Sequence, residues 1–155
     1  MSNKTNVIRI LDKAKIEYKS YSYADTDAVS GEEVAKTLGL NPRQMFKTLV
    51  TLGKSGTNYV FLVPVSDELD LRKAAMSVNE KSIHMIKQKD LLALTGYVHG
   101  GCSPIGMKKE FEVTIDNSAI EFETIIFNAG KIGYQVQLSL ECLKKVLRFR
   151  LDNII

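Results

Sequence analysis

A chain of 155 residues with 45% hydrophobic composition can build one sizeable core but is short for two ordinary domains, so a single domain over residues 1–155 is expected. No apolar stretch approaches the roughly 20 residues that span a bilayer, and the polar start, Met1 to Asn6, lacks the apolar run of a secretory signal. The net charge of +3 permits a nucleic-acid partner without demanding one, and Cys102 and Cys142 are too few for a disulfide framework and join no metal-ligand cluster.

Val7, Ile10, Leu11 and Ala14 recur at helical spacing and predict an amphipathic helix from about Thr5 to Lys15. A short strand through Tyr18 to Tyr23 follows, then a polar loop over Asp25 to Ala28. Ser30-Gly31-Glu32-Glu33 has the capping-box pattern, in which the Ser and Glu side chains satisfy each other's free backbone donors. Val34, Ala35 and Leu38 supply that helix's buried face, Gly39 stops it, and Asn41-Pro42 opens a short turn. Phe46–Leu52 and Tyr59–Val65 read as strands joined by the hairpin composition Gly53-Lys54-Ser55-Gly56. Asp70 is placed to cap a helix carrying Leu71, Ala74 and Ala75. Ser82–Met85 reads as a strand, and Lys89–Thr95 as a helix ended by Gly96. Further strands are expected at Phe111–Ile115, Thr124–Asn128 and Tyr134–Leu138, the last two flanking a hairpin turn at Ala129–Gly133. Ser139 then caps a final helix whose Leu140, Leu143 and Leu147 face inward. Helices and strands intermingle without regular β-α alternation, which favours an α+β domain over a doubly wound parallel sheet.

Two segments stand apart chemically. Lys47 interrupts the apolar run Met45-Phe46-Lys47-Thr48-Leu49-Val50, and a cation in that setting must reach water, pair with an anion or meet a ligand. Tyr97-Val98-His99-Gly100-Gly101-Cys102-Ser103-Pro104-Ile105-Gly106 is glycine-dense, contains a proline, and is followed by Lys108-Lys109. Together they suggest a pocket for an anionic or carbonyl-bearing ligand. Basic residues also gather at Lys144, Lys145, Arg148 and Arg150, where a solvated helix face accounts for them equally well.

The ordered set Phe46-Lys47-Thr48-Leu49-Val50, Val63-Pro64-Val65, Glu68 to Ala75, Thr95-Gly96-Tyr97, Gly100 to Gly106, Lys108-Lys109, Ile115-Asp116 and Asn128-Ala129-Gly130 resembles the YbaK family. These are free-standing aminoacyl-tRNA editing proteins related to the editing domain inserted in bacterial prolyl-tRNA synthetases. The resemblance runs from Thr5 to about Val146. It implies a compact α+β fold with a curved mixed sheet, a partly open barrel, flanked by helices. It further implies a cytoplasmic enzyme that clears cysteine from proline tRNA without a metal or cofactor. The implied partners are the acceptor end of an aminoacyl-tRNA and prolyl-tRNA synthetase, with no membrane and no DNA. A proline-sized pocket cannot strongly reject cysteine or alanine, since small apolar differences are worth only about 1–3 kcal/mol, so a second site must supply the discrimination.

By the same resemblance Lys47 and Gly101 are the expected catalytic residues. Tyr23, Thr48, Gly100, Cys102, Ser103, Pro104 and Asn128 are the expected substrate-binding ones. Tyr21 competes with Tyr23 for its place, and Asn128 stands where family members often carry a small hydroxyl residue. The sequence offers no evident serine or cysteine triad, which fits attack by the cysteinyl substrate's own thiol on its ester carbonyl. The competing readings are an Ala-tRNA(Pro) deacylase using water, a tRNA- or synthetase-binding module without catalysis, and a hydrolase using Cys102. His99 reads as a surface or satisfied histidine, with an addition to the pocket rim as the alternative; His84 has no functional case beyond being titratable, and Cys142 reads as core.

Overall fold

The computed structural model describes residues 4–155, so the polar reading of the N-terminus falls partly on residues outside those described. Helix α1 (Asn6–Lys13) begins where the Thr5 hydroxyl accepts the Ile8 amide, and it turns Val7, Ile8 and Leu11 inward. Helix α2 (Gly31–Leu38) carries the expected capping box: Ser30 Oγ accepts the Glu33 amide and the Glu33 carboxylate accepts the Ser30 amide. Gly39 closes it in the left-handed conformation that glycine adopts without steric cost.

Strands β2 (Phe46–Gly53) and β3 (Asn58–Pro64) form the expected hairpin, in register from Phe46 opposite Pro64 to Leu52 opposite Asn58. β3 is buried along nearly its whole length, and its alternating side chains serve two different cores. Val60 and Leu62 join the main core, while Tyr59, Phe61 and Val63 pack with Ala74 and Ala75 of helix α3 (Leu71–Ser77). The rest of this sheet is β4 (Ile83–Met85), β5 (Glu112–Asp116) and β8 (Arg150–Asp152), in the order β4-β2-β3-β5-β8. β5 lies parallel to both β3 and β8. A second, three-stranded antiparallel sheet places β7 (Tyr134–Leu138) between β1 (Lys19–Ser22) and β6 (Ile125–Asn128).

The α+β class and the mixed strand pairing are as expected, but the strands divide into two open sheets that do not close into a barrel. Among the described residues a single parallel bridge, between Met45 and Ile126, joins them, and the Ile126 amide donates to the Gln44 carbonyl there at 3.1 Å. Beyond that seam β4 covers just Thr51 to Gly53 of β2. Among the described residues the edge of β2 opposite β3 therefore has no paired strand from Lys47 to Leu49.

The C-terminus departs from its expected form. Helix α5 is only Leu140–Leu143, capped by Ser139 as expected, and the chain leaves it through tight turns from Lys145 to Cys142 and from Val146 to Leu143. Arg150 and Leu151 then form part of edge strand β8. All three β8 residues are exposed, so no buried-exposed alternation marks the strand, and its pairing with β5 is long-range. The helix expected at Lys89–Thr95 is a 3-10 turn over Gln88–Asp90 followed by α4 (Leu91–Thr95), which Gly96 ends at φ +86°.

Candidate active site

A cleft of about 420 Å3 opens at the seam between the two sheets. One wall is the unpaired edge of β2, another the start of α2 at Ser30 and Gly31, and a third the segment from Met85 to Leu91. Gly31 allows the close approach that this requires, since a β-carbon there would stand 2.5 Å from the Val65 side chain. The glycine-rich segment and the ends of β6 and β7 complete the enclosure.

Lys47 lies half-buried on the β2 wall and, among the described residues, has no ion pair or side-chain hydrogen bond. It is the one Lys or Arg among the described residues lining the cleft, and none of those residues is Asp or Glu. The site is thus electrostatically one-sided. An uncompensated ammonium in a partly desolvated wall favours an anion or a developing oxyanion.

The glycine segment is held by its own polar groups. The Tyr97 hydroxyl donates to the Ile105 carbonyl at 2.5 Å, and the Tyr97 amide donates to Thr95 Oγ1 at 3.0 Å. The Gly101 amide closes a turn onto the Val98 carbonyl at 2.9 Å, with Gly100 at φ +85°. A β-carbon on Gly101 would stand 2.9 Å from the Ile132 backbone nitrogen, so glycine lets this loop lie against the 129–133 turn. Asn128 joins the two. Its Nδ2 donates to the Gly100 carbonyl at 3.0 Å and to the Lys131 carbonyl at 3.3 Å. Its Oδ1 accepts from the Gly130 amide at 2.7 Å and the Lys131 amide at 3.0 Å. Both ends of the Asn128 carboxamide are engaged within the protein.

Of the residues singled out in the sequence, Lys47, Thr48, Tyr23, Gly100, Cys102 and Asn128 come together on this cleft, with exposed His99 also lining it. Gly101, Ser103 and Pro104 do not line it. Ser103 is fully buried, its hydroxyl accepting the Ile105 amide at 3.3 Å, and Pro104 faces a second cleft behind the loop. Tyr21 instead donates to Gln137 across the three-stranded sheet, and exposed His84 sits on β4 away from the lining. Burial pushes the Cys102 thiol up to about 12, against a smaller opposing effect of the Thr95 hydroxyl. Cys102 therefore stays a neutral thiol near neutrality and is a poor nucleophile.

One lining residue was not anticipated. Gln135 is 6% exposed, and its Oε1 has no hydrogen-bond partner; nor does the buried Oγ1 of Thr48. A buried acceptor left unmatched costs about 1–3 kcal/mol, and both of these belong to residues that line one cleft. No local sequence pattern marks it: its burial beside buried Val136 and its place opposite Asn128 in the β6–β7 register arise only in the folded sheet.

A family model described as the aminoacyl-tRNA editing domain matches residues 25–146. The chain belongs to the aminoacyl-tRNA editing domain family. It is 43% identical over 141 residues to an Enterococcus faecalis protein named "Putative Cys-tRNA(Pro)/Cys-tRNA(Cys) deacylase EbsC", covering 90% of this chain and 86% of that protein. A proline–tRNA ligase of Shouchella clausii is 27% identical over 111 residues, which are 72% of this chain but 19% of the ligase. The editing domain also shares its fold with a crystal structure described as a "putative trans-editing enzyme for prolyl tRNA synthetase", with a TM-score of 0.81, 20% identity and 97% of each chain covered. In this editing domain, the matched segment contains every described residue of the cleft except Tyr23.

Proposed function

We propose that this editing domain is a trans-acting deacylase that removes cysteine from mischarged proline tRNA, with the substrate's own thiol as nucleophile. The observation that carries this reading is the chemical make-up of the cleft: a free ammonium, no carboxylate, and a protein thiol held protonated by burial. Such a site can position an ester and stabilise charge, and exposed His99 is the one lining side chain among the described residues of the kind that most often serves as a general base. A free cysteine thiol has a pKa of about 8.5, so the substrate brings a usable thiolate fraction at neutral pH.

The thiolate attacks the ester carbonyl and forms a sulfur–carbon bond. The tetrahedral oxyanion collapses, the bond to the terminal ribose oxygen breaks, and that oxygen leaves as the hydroxyl after taking up a proton. The cyclic thioester released then hydrolyses to free cysteine. Lys47 grips a phosphate of the terminal adenosine as a point charge and so fixes the ester's position. The amides of Gly100 and Cys102 have no protein acceptor among the described residues and can donate to the oxyanion. Gln135 Oε1 and Thr48 Oγ1, both unmatched and buried, take donors from the aminoacyl group once the lining side chains turn to uncover them.

The Enterococcus faecalis relative carries the same activity in its name, and the ligase match supports a partnership with prolyl-tRNA synthetase, whose polypeptide contains a domain of this kind in that relative. We assign the activity to the cytoplasm, where charged tRNA is used; no helix among the described residues is long and apolar enough to cross a membrane. The test is release of cysteine, serine and alanine from the same proline tRNA. Cysteine should leave at least tenfold faster than either. Equal rates would refute thiol participation and favour a water-using deacylase, whereas binding with no acceleration of any ester would leave a non-catalytic module.

A further inference from the structure

The fold brings together two basic groups that lie some 40 residues apart in the sequence. Lys108 and Lys109 follow the glycine loop, and Arg148 follows α5; all three line a second cleft of about 240 Å3 whose floor includes Pro104 and Gly106. The three cations are exposed and, among the described residues, form no ion pair, whereas nearby Lys144 and Arg150 are neutralised by Glu141 and Glu112. Glu110 is the cleft's one acid among the described residues. The Lys108 side chain is also held in place. Its amide donates to the Thr95 carbonyl at 3.0 Å, and its stem passes over Gly96, where a β-carbon would stand 3.3 Å from it.

The location gives this charge its meaning. Cys102 lines the active-site cleft and Pro104 lines the basic one, yet they are two residues apart, at most about 7 Å along the chain. The two clefts flank one loop. Charges on a nucleic-acid strand recur about every 3.4 Å of axis, so a strand with its 3′ end in the first cleft reaches the second within a few phosphates. We propose that the Lys108–Lys109–Arg148 cleft binds the phosphodiester backbone of the RNA acceptor strand. This rests on the tRNA-deacylase reading for the identity of the strand.

The experiment compares the protein with a Lys108→Gln, Lys109→Gln, Arg148→Gln variant. A second variant loses the same charge at exposed Lys13, Lys36 and Lys54, outside both clefts. Binding of an uncharged acceptor-stem RNA hairpin ending in CCA is measured across a salt series, and turnover is measured on cysteinyl-adenosine, which has no phosphate. The cleft variant should bind the RNA about tenfold more weakly. Its log–log salt slope should be shallower by about 2, as expected for three lost phosphate contacts at about 0.7 each. The control variant should lose far less affinity. Undiminished turnover of cysteinyl-adenosine by the cleft variant shows that its fold and catalytic cleft are intact. Equal RNA affinity and slope in the cleft variant and the unmodified protein overturn the proposal. So does a loss confined to binding of prolyl-tRNA synthetase, which would make the cleft a contact for an acidic protein face. If cysteinyl esters are never cleaved while RNA binding still responds to these substitutions, the deacylase reading fails and the RNA site stands.

Discussion

Replacing Asn128 with Asp changes one functional group and nothing in size. The remaining oxygen still accepts the Gly130 and Lys131 amides, but an oxygen now replaces the nitrogen that faces the Gly100 and Lys131 carbonyls at 3.0 and 3.3 Å. Two hydrogen bonds are lost, at about 1 kcal/mol net each. Carboxylate opposite carbonyl adds a repulsion in the same direction. The 98–101 turn relieves it by moving off the 129–133 turn, and restoring its productive position costs about 2 kcal/mol. That corresponds to about a 30-fold fall in kcat/KM for Cys-tRNA(Pro). Stability should change little, because the two amides now donate to a charged acceptor, which strengthens those bonds. The signature is in the pH profile. A protonated Asp regains a donor, so the ratio of variant to unmodified activity should rise as pH falls from 8 toward 5. Single-turnover deacylation across that range reads it directly. Equal kcat/KM for the two proteins at pH 7.5 would refute the idea that Asn128 tethers the loop.

Lys47→Ala should lower kcat/KM about 100-fold, the scale of a lost charge-assisted bond, while Tm stays within about 2 °C, because among the described residues Lys47 has no ion-pair partner to lose. A large Tm drop with activity retained would make Lys47 a folding residue instead. Cys102→Ala should keep activity within about threefold, which steady-state deacylation can check; abolished turnover would restore the cysteine-hydrolase reading. The same substitution should alter alkaline stability. Burial pushes the folded thiol from 9.0 to about 12, so the unfolded chain ionises first and stability falls as pH rises above about 9, by up to about 1.4 kcal/mol per pH unit. Denaturation between pH 8 and 10.5 should show a shallower decline in Cys102→Ala. Tyr97, also pushed up to about 12, first by burial and then by the neighbouring Cys102, loses that second contribution in Cys102→Ala, so the variant's decline above about pH 10 is shallower still.

Elements specified by neighbouring residues were readable directly. The Ser30–Glu33 capping box, the Asp70 and Ser139 caps, the left-handed stops at Gly39 and Gly96 and the β2–β3 hairpin all stand where their local chemistry puts them. The resemblance to an editing family was likewise carried by ordered motifs. Strand β8 was not readable, because Arg150-Leu151-Asp152 is exposed throughout and acquires its strand character only by lying parallel to β5. Nor was the division of labour around the cleft. Asn128, expected as a ligand contact, lines the cleft and also tethers the glycine loop, while Gln135 looks like an ordinary strand residue and carries an unmatched acceptor.

The sequence by itself determined the caps, turns, strand periodicity and family, since each depends on residues a few positions apart or on motifs kept in order. Only the tertiary structure decided that Lys47, Gly100, Asn128 and Gln135 share a cleft and that Lys108, Lys109 and Arg148 share another. Those meetings depend on how two sheets join at Met45–Ile126 and how the last strand returns beside β5, packing choices that no local pattern of side chains encodes.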